Sequence, residues 1–116
     1  MPRRLDNSYA CPVELTLDVV GGKWKPMILW LLRGQKRRFN DLQAAMPGIA
    51  HKVLTQQLRM LERDGIVTRT VTGEPRLRVD YALTDFGATL RPVLDGLASW
   101  AKRYHRRLGA TIVPTP

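Results

Sequence analysis

The residues with the clearest chemical potential lie between positions 50 and 64. Lys52, Thr55, Gln56, Arg59 and Arg63 recur there at helical spacing. At about 100° per residue they share an arc of about 100° on a helix. Leu54, Leu58 and Leu61 fall within roughly 60° of one another on another side and define a face for burial. Long cations neutralise phosphates or fork onto guanine, and a side-chain amide matches the donor–acceptor edge of adenine. A polar arc is ordinary on a surface helix. This one holds no carboxylate, although Glu62 and Asp64 belong to the same segment. His51 is placed at the helix start to touch phosphate, and Arg38, Arg76 and Arg78 supply cations from elsewhere in the chain. The chemistry expected is non-covalent reading of a polyanion.

An enzyme reading would take Cys11 as nucleophile, with His51 or His105 as a base. Neither histidine is required by a local motif, and there is no Gly-rich phosphate loop or ligand cluster, so neither catalysis nor a cofactor or metal is expected. Cys11 carries two readings. Pro12 opens a helix, which places Cys11 at or beside the N-cap, where unpaired N–H groups and the helix dipole favour a thiolate. Arg3 and Arg4 add positive potential there, and Asp6 and Glu14 offset part of it. As a regulatory thiol it would respond to a small electrophile or oxidant, and any disulfide would be intersubunit or formed with a small thiol. The other reading is a small apolar side chain tucked under the helix start, inert as buried cysteines are.

These residues must be positioned by short elements with clear punctuation. Residues 11–20 read as a helix ended by Gly21-Gly22, and residues 23–33 as a second, with Pro26 tolerated in its first turn. Asn40 with Gln43 three residues on forms a capping-box pattern for a short third helix, closed by Pro47-Gly48. The reading helix follows over 50–64, ended by Gly65 in the left-handed conformation with Ile66 folding back onto Leu61. Residues 66–72 and 78–83 read as two strands around a turn containing Gly73 and Pro75, with Arg69, Arg76 and Arg78 near it and Glu74 and Asp80 diluting their charge. Val79, Tyr81 and Leu83 alternate with Arg78, Asp80 and Ala82, as a half-buried strand requires. Thr84 caps a long last helix reaching Leu108. The order is that of a winged helix-turn-helix, mainly α with a small β-hairpin (α+β), in which the second helix of the motif enters the major groove.

The chain of 116 residues fits one domain, and its 44% hydrophobic content supports a modest core. Its expected organisation is a flexible N-terminal arm at 1–10, the winged domain with its dimerisation helices at 11–108, and a flexible tail at 109–116. Nineteen Lys and Arg against ten Asp and Glu leave a formal charge of +9, which favours polyanionic partners. No apolar region follows the N-terminal arginines as in a signal peptide, and the run at 27–32 is too short to span a bilayer. No membrane partner is expected. A single cysteine suits a reducing cytosol, so the chain is expected in the cytoplasm, at the nucleoid.

In the last helix Leu90, Val93, Leu94, Leu97, Trp100, Ala101, Tyr104 and Leu108 stay within about 120° over nearly five turns. A domain this small has little to cover the far end. Leu97, Trp100, Tyr104 and Leu108, with Val13, Leu17 and Val20 of the first helix, are therefore expected to form a homodimer seam. Pro92 should kink this helix or open it locally. The rival partner is RNA, as for a small RNA-binding or ribosome-associated protein. RNA modules carry stacking aromatics on a sheet face, and the hairpin offers only Tyr81.

The chain resembles the HxlR-type helix-turn-helix transcriptional regulators, a bacterial branch of the winged-helix proteins near the MarR type. The resemblance spans residues 11–108. It rests on Cys11-Pro12-Val13-Glu14, Gly21-Gly22-Lys23-Trp24, Arg38-Phe39-Asn40-Asp41-Leu42, Pro47-Gly48-Ile49, the run from Lys52 through Arg59, Leu61-Glu62-Arg63-Asp64-Gly65, and Val79-Asp80-Tyr81-Ala82-Leu83-Thr84. It implies a homodimer built from the first and last helices and one recognition helix per subunit on palindromic double-stranded DNA. It also implies, for some members, sensing of electrophiles or oxidants through the Cys-Pro cysteine, here Cys11. Two departures stand out. Ala50 replaces a frequent serine and removes a side-chain cap, and Pro75-Arg76-Leu77-Arg78 stands where a second proline is common.

Overall fold

The computed structural model describes residues 8–73 and 75–113. Arg3, Arg4, Asp6 and Glu74, all invoked above for local charge, lie outside them. The chain forms α1 (Pro12–Val20), α2 (Lys25–Leu32), β1 (Arg37–Arg38), α3 (Phe39–Ala45), α4 (His51–Arg63), β2 (Val67–Thr72), β3 (Arg78–Leu83), α5 (Asp85–Ala88) and α6 (Arg91–Tyr104). This is the expected α+β winged helix-turn-helix order.

The core is built around α2, which buries Ile28, Leu29, Leu31 and Leu32. Against these lie Leu42 and Met46 from the α3 region, Leu54, Leu58 and Leu61 of α4, Ile66 and Val67 at the start of β2, Tyr81 of β3 and Leu94 of α6. Three guanidinium groups satisfy carbonyls at the end of α2. Arg37 Nε donates to the Leu31 carbonyl at 2.8 Å, Arg91 Nε to that of Arg33 at 2.7 Å, and Arg33 to that of Trp30. Cations suit a helix C-terminus, where unpaired carbonyls concentrate negative charge. These three arginines therefore do structural work within the domain.

Several expectations are corrected. The hairpin gains a third strand, in the order β1-β3-β2, with Arg37 opposite Tyr81 and Arg38 opposite Asp80. Because β1 ends at Arg38, α3 starts directly at Phe39. Asn40 then lies inside the helix, and Gln43 Nε2 donates to the Ile49 carbonyl instead of closing a capping box. The long last helix is two helices. Thr84 Oγ1 accepts from Gly87 N at 2.9 Å and caps α5, and Leu90 leads into α6 with Pro92 in its first turn, where a missing N–H costs nothing. Leu108 lies past the end of α6, in a turn where Gly109 N donates to the Arg106 carbonyl. The alternation in β3 is imperfect, since Asp80 is buried beside Tyr81. Val20, expected at a subunit seam, is buried in its own domain's core at 6% exposure.

The end of α4 closes as expected. Gly65 has φ +75°, Ile66 N donates to the Leu61 carbonyl at 2.9 Å, and both apolar side chains are buried. This junction also receives α5, since Thr84 N donates to the Ile66 carbonyl at 3.0 Å. Gly87 lies so close that a Cβ there would sit 2.0 Å from that carbonyl oxygen. Gly87→Ala should therefore destabilise the fold by about 1–3 kcal/mol through overpacking. A urea melt would show this as a lower midpoint with unchanged slope, and an unchanged midpoint would mean that the junction relaxes freely.

Candidate nucleic-acid interface

α3, the turn at 46–50 and α4 make up the helix-turn-helix. Gly48 takes φ +85° in the turn, and buried Ile49 ties it down through its N–H to the Met46 carbonyl at 3.2 Å. Ala50 is the N-cap of α4 and offers no side-chain cap, as its identity dictates. The first-turn N–H groups are thus left uncapped by a side chain at Ala50, and free N–H groups at a helix start favour anions.

With Leu54, Leu58 and Leu61 fully buried, the exposed residues of α4 are His51, Lys52, Gln56, Arg59 and Arg63. None is acidic. Among the described residues, no hydrogen bond or ion pair engages the side chains of Lys52, Gln56, Arg59 or Arg63. Thr55 is half-buried and its hydroxyl donates to the His51 carbonyl at 2.9 Å, so its proton is committed to the helix backbone. The His51 ring stacks at a tilt on Phe39, with centroids 4.6 Å apart, which fixes its direction at the start of α4.

Between α4 and the sheet lies an open cleft of about 590 Å³, lined by Phe39, His51, Thr55, Arg59, Glu62, Arg69, Val79 and Tyr81. Arg69 sits opposite Tyr81 in the β2–β3 register, so its strand brings it to the same cleft as Arg59. Phe39 and Arg69 are thus two members of this surface beyond the expected site set. Arg69 was visible as part of the basic hairpin, but only strand register reveals that it meets Arg59. Phe39 carried no signal beyond its apolar character.

The remaining cations divide by partner. Arg78 Nε donates to both carboxylate oxygens of buried Asp80, at 3.1 and 3.3 Å, and Lys36 Nζ lies 3.9 Å from the same group. Arg78 is therefore tethered along β3. Arg76 is exposed in the hairpin loop, and Arg38 is exposed at the end of β1. Tyr81, the sheet's single aromatic residue, is 8% exposed and offers no stacking platform for unpaired bases.

Large apolar side chains are also left exposed on α1 and along the last helical segment. Val13, Leu17, Leu97, Trp100 and Leu108 are each more than half exposed, at 57–64%. Trp100 and Tyr104 stack at 5.4 Å, and with Arg107 and Leu108 they line a cavity of about 370 Å³. Cys11 is the N-cap residue of α1 and is exposed, so the reading of a side chain tucked under the helix is set aside. Nearby, the Tyr9 hydroxyl donates to the Asp18 carboxylate and ties the preceding segment to α1. Among the described residues no group of three His, Cys, Asp or Glu side chains is arranged to hold a metal ion, and no helix is long and apolar enough to cross a membrane.

A family model described as HxlR-like helix-turn-helix matches residues 19–108, a segment that begins after Cys11. The chain is 45% identical over 103 residues to YdeP of Bacillus subtilis, named as an HTH-type transcriptional regulator, covering 89% of this chain and 80% of that protein. Among solved structures it is similar to the redox regulator HypR. The reduced form superposes with a TM-score of 0.81 at 42% identity, covering 85% of this chain and 98% of that one. The oxidised form gives 0.76 at 45% identity, covering 80% and 96%. The exposed cationic helix, its helix-turn-helix frame and these similarities lead to one assignment: the chain belongs to the HxlR-like helix-turn-helix family of transcriptional regulators and is not an enzyme.

Proposed function

We propose that the chain is a homodimeric regulator that binds a two-fold symmetric DNA operator in the cytoplasm and responds to an oxidant or electrophile at Cys11. The observation that carries the DNA reading is the acid-free set of exposed residues on α4, opposite a fully buried leucine stripe. A helix held this way presents one face outward, and its width fits the major groove. In this reading Gln56 and Arg59 contact base edges, and Lys52, His51 and Arg63 contact phosphates. Arg38, Arg76 and the tethered Arg78 add backbone contacts from the sheet side, where such contacts position without specifying sequence.

The dimer reading is supported by apolar side chains left uncovered on α1 and in the last helical segment. A two-fold axis through Leu97, Trp100, Tyr104 and Leu108, with Val13 and Leu17 of α1, would bury them. It would also set two copies of α4 about 34 Å apart, one DNA turn. The response to an oxidant is supported by the exposed position of Cys11 at a helix N-terminus and by similarity to HypR, which is named as a redox regulator. A chemical change at Cys11 lies on a helix that also carries seam residues, so it would alter the spacing of the two reading helices.

Arg59→Ala should weaken binding to the cognate duplex by about 1–3 kcal/mol and relax base discrimination, measured by fluorescence anisotropy against single-base variants of that duplex. Full affinity in this variant would remove α4 as the reading element. Trp100→Asp should sediment as a monomer and lose most operator affinity, whereas an unaltered dimer would place the seam elsewhere. Diamide or a quinone should change the DNA affinity of the wild type and leave Cys11→Ser unaffected; equal responses, or none, would exclude Cys11 as the sensor while leaving DNA binding intact.

A further inference from the structure

The hairpin leaves the core as it extends. Val67 is buried, whereas residues 68–72 of the same strand are exposed. The strand register closes at Thr72 opposite Arg78. In the turn beyond, Gly73 and Arg76 approach each other closely. Gly73 takes φ +97°, and a Cβ there would come within 2.5 Å of the Arg76 carbonyl oxygen. Leu77 extends from this constrained turn with 79% of its surface exposed, more than any other large apolar side chain among the described residues.

A lone exposed leucine is ordinary on a protein surface. The surroundings of this one are not. It stands between Arg76 and Arg78, on an element whose cleft with α4 carries Arg59 and Arg69. Val79 and Tyr81, further along the same hairpin, line that cleft. An apolar tip beside cations matches a minor groove, which has phosphates along both walls and base steps that an inserted apolar side chain can partly unstack.

We propose that Leu77 is an apolar wedge that enters the minor groove next to the segment read by α4 and partly unstacks one base step, an inference that rests on the DNA-reading role of α4. Arg76 holds the phosphate beside the insertion. The Arg78–Asp80 pair stiffens the strand behind it, so the leucine meets the bases on a rigid support. Unstacking is easiest at pyrimidine–purine steps such as TA and CA. The wing thereby selects sequence by deformability at a position that α4 does not touch, and it bends the duplex away from the inserted side chain.

The test uses full-length protein and a duplex that the wild type has selected from a random-sequence pool. Affinity is read by anisotropy, and bending by energy transfer between dyes at the duplex ends. Leu77→Ala should lose the bend and bind roughly tenfold more weakly, with an unchanged dependence of affinity on salt because no phosphate contact is removed. Leu77→Met should keep the bend. Replacing the flexible step by an A-tract should penalise the wild type and leave Leu77→Ala indifferent. The wedge is overturned if Leu77→Ala bends and binds like the wild type, or if its loss comes with a shallower salt dependence, since Leu77 would then act only by placing an arginine. If the wild type selects no duplex at all, the DNA-reading role of α4 fails, and the wedge with it.

Discussion

Burial of α2 is the constraint on which the other elements depend. It is apolar nearly all round, and such a helix is stable only with neighbours on most of its sides. It touches α4, β3 and α6, so the reading helix, the wing and the last helix are all referred to one short rod. Each fully buried leucine or isoleucine contributes about 1.5–3 kcal/mol relative to exposure, which far exceeds a surface ion pair at about 0–1 kcal/mol. The orientation of α4 is therefore set by its leucines. Its exposed Lys52, Gln56, Arg59 and Arg63 side chains make no hydrogen bond or ion pair among the described residues and are left for a partner.

The same economy organises the charge. Net charge alone says that a polyanion is attracted, not where it docks. Within the domain, Arg33, Arg37 and Arg91 are spent on carbonyls at the end of α2, and Arg78 and Lys36 face Asp80. Lys52, Arg59, Arg63, Arg69 and Arg76 are among the cations whose side chains keep no hydrogen bond or ion pair within the described residues. Three of these belong to α4 and two to the hairpin, the two elements that flank the cleft. Lys102, Arg103, Arg106 and Arg107 in the last helical segment form a second such group, so internal pairing occupies the cations around α2 without confining the rest to one face.

Legibility from sequence followed the range of the forces involved. The α4 arc, the Gly65 terminus and the Thr84 cap were readable because each depends on residues within a few positions of one another. The third strand was not, because Arg37-Arg38 has no apolar alternation and becomes a strand only by pairing with residues more than forty positions away. The capping box at Asn40 failed for the same reason, since the strand pairing fixed where α3 begins. Burial of Val20 and Asp80, and the stacking of Phe39 on His51, likewise arise from contacts between distant segments. Pro92 was read as a kink or local opening within one helix, whereas the chain breaks at Thr89–Leu90 and Pro92 falls in the first turn of a separate α6.

We propose that a core-locked α4, duplicated by two-fold symmetry, reads DNA with two copies of one face. Hydroxyl-radical footprinting of the wild type on a duplex it selects tests this most directly. Two protected patches are expected, related by a two-fold axis and centred about one helical turn apart on the same face of the duplex. A single unpaired patch, or uniform protection without a centre of symmetry, would contradict it.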